Sequence, residues 1–144
     1  MKPFHPLRRF DFVLGNEIAG LNNGLILSKK DAPFLKVWWE NYKHFDDNKW
    51  NFHSVMEPFR LAFVHPNLIQ MEFNTLSRPG WEDWWDMKAM WNEDHLYPWS
   101  HVYGVHFIYS YHGEEHNPED IKHMRGTFGQ MARWVYYGQV EFLD

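Results

Sequence analysis

The sequence predicts an α/β fold. Short apolar runs of strand length alternate with segments whose apolar residues recur at helical spacing, and turn or capping residues mark most of the junctions.

Phe12-Val13-Leu14, ending at Gly15, reads as a first strand. Leu25-Ile26-Leu27 reads as a second, with Asn22-Asn23-Gly24 before it as a turn, because Asn and Gly tolerate positive φ. A helix follows. Asp31 is placed to cap it, Pro33 suits its first turn, and Phe34, Val37, Trp38, Tyr42 and Phe45 share one face until Asp46-Asp47-Asn48 ends it. Ser54 and Glu57 have capping-box spacing and predict a helix that buries Val55, Phe59, Ala62 and Phe63, with Pro66 beyond its end.

The stretch from Ile69 to Phe73 alternates as a strand does, and Ser77-Arg78-Pro79-Gly80 reads as a loop. Glu82 to Trp91 reads as a helix with Trp84, Trp85, Met87 and Trp91 on its apolar side, and Tyr103 to Tyr109 as a strand. The last helix, about residues 117–137, opens on Asn117 and Pro118, with Glu119 and Asp120 at the positive end of its dipole. It carries a stripe of Ile121, Met124, Phe128, Met131 and Val135. Gly126 and Gly129 weaken it, and Gly138 stops it.

At 144 residues the chain is long enough for one domain with a core, and it is read as one partial domain. Nine Trp, seven Tyr and twelve Phe exceed what a core requires, so some are expected in a cleft or an interface. A net charge of −5 with no basic cluster argues against a nucleic-acid face. No cysteine is present, which excludes disulfides and thiolate zinc sites. No apolar run approaches the roughly 20 residues of a membrane span, and no apolar signal core stands at the N-terminus.

Lys2 to Leu7, Asp11 to Glu17, Asn23 to Leu27, Pro33 to Pro58, Phe73 to Trp81 and Tyr103 to Phe107, taken in order, resemble the DXD-type sugar transferases, the family of alpha-1,4-galactosyltransferases and yeast initiating mannosyltransferases (glycosyltransferase family 32). Lys2-Pro3-Phe4-His5-Pro6-Leu7 resembles the stretch after their Asp-x-Asp motif. Asp11 to Glu17 resembles their strand ending in Gly and an acidic residue, and Asn23-Gly24-Leu25-Ile26-Leu27 their Asn-Gly-apolar strand. Pro33 through Trp50 resembles the aromatic helix and acidic loop, and Trp50 through Pro58 the next helix start, with Glu57-Pro58 where Gly-Pro is common. Phe73 through Trp81 resembles a later loop. Tyr103-Gly104-Val105-His106-Phe107 resembles the late strand, with Phe107 in place of a Trp. The resemblance covers about residues 2–112.

The resemblance implies the acceptor-side, C-terminal portion of a GT-A-like fold that transfers sugar from a nucleotide-sugar donor to a glycan acceptor. It also implies a divalent metal, usually manganese, acting as a Lewis acid on the leaving diphosphate. The Asp-x-Asp would lie before Met1, so the chain is expected to be a truncated or mis-started form, inactive alone. Self-association is then expected through a sheet edge left open. The family member is expected in the Golgi lumen; a chain that truly starts at Met1 is expected in the cytosol.

His106 is the metal-ligand candidate by the same resemblance. The binding candidates are Glu17, Asn23, Gly24, His53, Glu57 and Trp81. Glu17 sits at a strand end, where α/β sites gather, or is solvated. Asn23 offers an amide to a sugar hydroxyl, or forms the turn. His53 and Glu57 flank a helix start that favours anions, or Glu57 partners Ser54.

Two other classes remain. One is a glycan-binding or vestigial module that transfers nothing. The other is a zinc metallohydrolase through His112, Glu115 and His116, which match H-x-x-E-H. Gly113 within that motif and the helix start after it argue for a loop instead.

Overall fold

The protein is α/β. A computed structural model describes residues 1–92, 96–108, 110 and 115–143. Chain contacts divide it into two compact units, residues 1–82 with 100–105, and residues 83–99 with 106–144.

The first unit is built on a three-stranded sheet of order β2-β1-β3. β1 (Phe12–Glu17) runs antiparallel to β2 (Gly20–Ser28) and parallel to β3 (Gln70–Glu72). Side chains alternate across β1 as strand geometry requires. Phe12 and Leu14 enter a core with Leu21, Phe34, Trp38 and Leu61, while Val13 packs on the other face with Leu7 and Leu76.

The predicted turn at Asn22-Asn23-Gly24 lies inside β2. Leu14 pairs with Ile26 and Gly15 with Asn22, so residues 23–25 form a bulge. The hairpin turns at residues 18–19. Asn22 Oδ1 accepts from the Gly24 N–H at 2.7 Å, so the Asn that looked like a turn former holds a bulge in place.

α1 (Pro33–Tyr42) buries Phe34 and Trp38 one turn apart. Asp31 does not cap it: the N-cap is Ala32, and Asp31 is left-handed at φ 60°. Phe45 lies beyond the helix end and stacks on Tyr42, with ring centroids 6.0 Å apart.

The Ser54–Glu57 capping box is absent. A π-helical segment (Phe52–Met56) runs without interruption into α2 (Glu57–Val64), so no free N-terminus stands where Ser54 could cap. Ser54 Oγ donates to the Asn51 carbonyl and Glu57 binds Arg60. Phe63, expected inside, is exposed.

Residues 103–105 return to the first unit as an irregular partner of the 75–78 loop. Tyr103 N–H donates to Thr75 O at 2.7 Å, Arg78 N–H to Gly104 O at 2.9 Å, and Val105 bridges Arg78. The predicted strand from Tyr103 is therefore one bridge among the described residues, and Tyr109 lies outside them.

The second unit contains α3 (Trp84–Asn92), α4 (Pro118–His123) and α5 (Thr127–Tyr137). Met87 and Met90 form the buried side of α3. Trp84 and Trp85, expected on that side, are exposed and stack on each other. The predicted single C-terminal helix is two. Asn117 caps α4 through a reciprocal box with Asp120, as its sequence implies. The chain then becomes extended at Met124 and Gly126 before α5 begins.

The break redirects the buried stripe. Thr127, Met131 and Arg133 are buried on α5, while Val135 is 74% exposed. Gly138, left-handed at φ 79°, ends the helix as predicted.

Candidate functional site

Parallel strands in α/β proteins collect binding groups at their carboxyl ends. β1 ends here at Glu17 and β3 at Glu72. Glu17 is 8% exposed and accepts a hydrogen bond from the Asn22 side-chain amide. Burial raises its carboxyl above the ordinary value; the Asn22 bond opposes this, the charge of Glu82 adds to it, and Arg78 opposes it. Arg78 Nη1 is 2.7 Å from Glu82 Oε1. Burial disfavours ionised Glu82, but its own backbone N–H, Arg78 and the Ile18 N–H outweigh that and hold its carboxyl low. The tip of the β1–β2 hairpin thus gathers a buried Glu17 with a raised pKa, an amide, and a guanidinium–carboxylate pair. Trp81, the residue before Glu82, is exposed.

Such an arrangement can perform proton transfer. A buried carboxyl whose pKa is raised is suited to give or take a proton at a reacting hydroxyl, and a neighbouring cation favours developing negative charge.

Asn23 and Gly24 form the β2 bulge, both exposed. Asn23 lines a surface cavity of about 280 Å³ with Trp38, Trp39 and Tyr42. His53 and Glu57 lie one turn apart in the π segment and α2. His53 is buried among Tyr42, Phe45 and Phe52; its Nε2 accepts the Asp46 N–H at 3.0 Å, and its Nδ1 has no hydrogen-bond partner among the described residues. Glu57 forms a two-pronged ion pair with Arg60 at 2.7 and 2.9 Å. That pair holds the Glu57 carboxyl below its ordinary value against burial, with His53 adding to the effect.

His106 belongs to the second unit, where burial lowers its imidazole pKa. Among the described residues no three His, Asp, Glu or Cys side chains converge as a metal set. Those residues do not by themselves fit the metal that the resemblance implies. In the H-x-x-E-H stretch, His112 lies outside the described residues, Glu115 is exposed, and His116 packs on Phe128.

Sequence reading missed Asn22, Arg78 and Glu82. Asn22 was absorbed into a turn. Arg78 and Glu82 have ion-pair spacing, i and i+4, but straddle a loop and a helix start, so the spacing carried no weight.

A sequence comparison adds to this geometry. The chain is similar to a glucan organizing enzyme. It is 28% identical, over 92% of its own length, to glucan organizing enzyme 1 of Cryptococcus neoformans var. grubii serotype A (strain H99). The chain spans 40% of that protein's length. No protein-family model matches the chain, and no solved structure shows significant similarity to it. The likeness is to a protein named as a glycan-related enzyme.

Proposed function

We propose that the chain is part of a glycosyltransferase that moves a sugar from a nucleotide-sugar donor to a glycan acceptor. The observation that carries this reading is the likeness to glucan organizing enzyme 1 along nearly the whole chain. The order of the family-like blocks supports it, as does a buried carboxyl with a raised pKa at the carboxyl end of the central strand. The proposal assigns this chain to the acceptor side of a GT-A-like fold. Manganese, in this proposal, belongs to the whole protein, and His106 is the residue of this chain that would contribute to holding it. The working compartment is the Golgi lumen. β2 and β3 are the sheet edges, and the same proposal has one of them covered by another strand, from the same protein or from a second copy.

In this reading Glu17 exchanges a proton with the acceptor hydroxyl, Asn22 orients the carboxyl, and Arg78 moderates its charge. The test is sugar transfer to oligosaccharides from a panel of nucleotide sugars with manganese, using the longest natural gene product that contains this chain. Glu17→Gln should lower kcat about 100-fold or more with little change in donor KM. Turnover unaffected by Glu17→Gln removes Glu17 from the chemistry. A gene product that turns over no donor, yet binds glycan without metal or nucleotide, replaces the transferase with a binding module.

A further inference from the structure

The outer face of α1 carries an exposed indole. Trp39 is 67% exposed, and its indole is flanked by two shallow cavities. One, of about 370 Å³, is lined by Leu35, Lys36, Trp39 and Glu40. The other, of about 280 Å³, shares Leu35 and Trp39 and adds Asn23, Ile26, Trp38 and Tyr42. Each lies near the lower end of small-ligand pocket volumes. The β2 bulge brings Asn23 to this rim, and bulges often serve to re-aim a side chain beside a site.

Trp50 and Trp85, also exposed, line neither of these two cavities. Trp85 already has Trp84 against its ring.

We infer that Trp39 and its two flanking cavities form a surface subsite for a neutral oligosaccharide, one hexose packing its C–H face on the indole and its neighbours entering the cavities. The chemistry selects that class. A pyranose has an apolar face and a ring of hydroxyls. The site has an aromatic floor, and at its rim an amide, one ammonium and one carboxylate. Lys36 and Glu40, the charged residues of the lining, are of opposite sign, so the lining carries no net charge that would select a charged chain. Asn23 and the charged groups offer donors and acceptors to hydroxyls. The subsite deepens the proposed function by naming where a glycan chain is held, but it does not require that the chain catalyse anything.

The experiment is titration of the whole chain with glucose and mannose hexamers by calorimetry, with a uronic-acid hexamer as anionic comparison. Trp39→Ala should weaken binding of a neutral hexamer at least about tenfold, and Trp39→Phe less, because a smaller aromatic face remains. Asn23→Ala should weaken it about threefold, the loss of one hydrogen bond. Trp50→Ala should leave it unchanged. Circular dichroism and thermal melting of each variant separate lost binding from lost folding.

Two outcomes overturn the inference outright: no neutral hexamer binds the wild type, or Trp39→Ala binds as the wild type does. Tighter, Trp39-dependent binding of the uronic-acid hexamer overturns the neutral class. Trp39-dependent binding in a protein that turns over no nucleotide sugar leaves the subsite standing while the transferase reading fails.

Discussion

The side-chain amide of Asn22 donates to the buried carboxyl of Glu17 across the end of the β1–β2 hairpin. The contact ties the bulge to the end of the central strand. Asn22 Oδ1 accepts from Gly24 N–H, which holds the bulge, while its Nδ2 serves Glu17. One side chain fixes both the loop that presents Asn23 and the group proposed to move a proton.

Glu17 should give the protein a stability that falls as pH rises. Its native pKa lies above the unfolded value, so the native state holds its proton longer. The contribution is complete below the ordinary carboxyl value near 4.5 and is lost as pH rises through the raised native value. Glu17→Gln removes this dependence, and its amide oxygen can still accept from Asn22. Glu57 and Glu82, whose native values are lowered, act with the opposite sign, but they are common to both proteins and cancel in the difference. Urea midpoints between pH 4 and 8 should show the variant gaining on wild type with rising pH and then levelling off. A flat difference, or one of opposite sign, contradicts a raised Glu17.

Asn22→Ala should cost about 1–3 kcal/mol at pH values where Glu17 is ionised, because it strips a buried carboxylate of a donor. It should also raise the Glu17 pKa further, since the lost bond is one that lowers it. The variant's deficit must then shrink in acid, where Glu17 is protonated and needs the donor less. A deficit independent of pH would mean that Asn22 acts on the bulge alone.

Local signals made some of the fold readable and long-range contacts hid the rest. Phe12 to Leu14, Pro33 with its Phe34/Trp38 pair, Asn117 with Asp120, and Gly138 each act within a turn or a strand, so their residues declare them. The Ser54–Glu57 spacing misled because it is also local, yet the π segment before α2 leaves nothing to cap. The 103–105 segment failed as a strand because its partners are the backbone of residues 75–78, distant in sequence. At the candidate site, Glu17 was visible as an acid at a strand end. Its surroundings were not, because Arg78 and Glu82 reach the hairpin only through tertiary packing.

Gly129→Ala should destabilise the protein although alanine is the better helix former. Propensity alone favours Ala by about 1 kcal/mol. A Cβ at Gly129 would overlap the Met124 carbonyl, which is backbone and cannot swing away. Overpacking of this kind costs about 1–3 kcal/mol, enough to reverse the propensity gain. Thermal unfolding of the variant decides it: a raised Tm would mean that the 124–126 link yields, and that Gly129 is only a weak helix position.

Arg133 holds that link from the other side, and its replacement should be the most damaging of these changes. The side chain is 2% exposed and uses its guanidinium as a fork. Nη1 donates to the carbonyls of Ile121 at 2.7 Å and Met124 at 2.6 Å, and Nε to Val140 O at 2.8 Å. The first two carbonyls belong to the end of α4, where helix geometry leaves acceptors unserved. A cation there also complements the helix dipole. The guanidinium lies over the Phe142 ring at 4.9 Å. One residue thus joins the end of α4, the link, α5 and the C-terminal segment. Lysine keeps the charge but lacks the planar fork that reaches three carbonyls at once. Arg133→Lys should cost at least about 2 kcal/mol. Hydrogen exchange should show α4 and the 139–143 segment losing protection together. Loss in α5 alone, with α4 still protected, would mean that Arg133 serves its own helix and does not join the others.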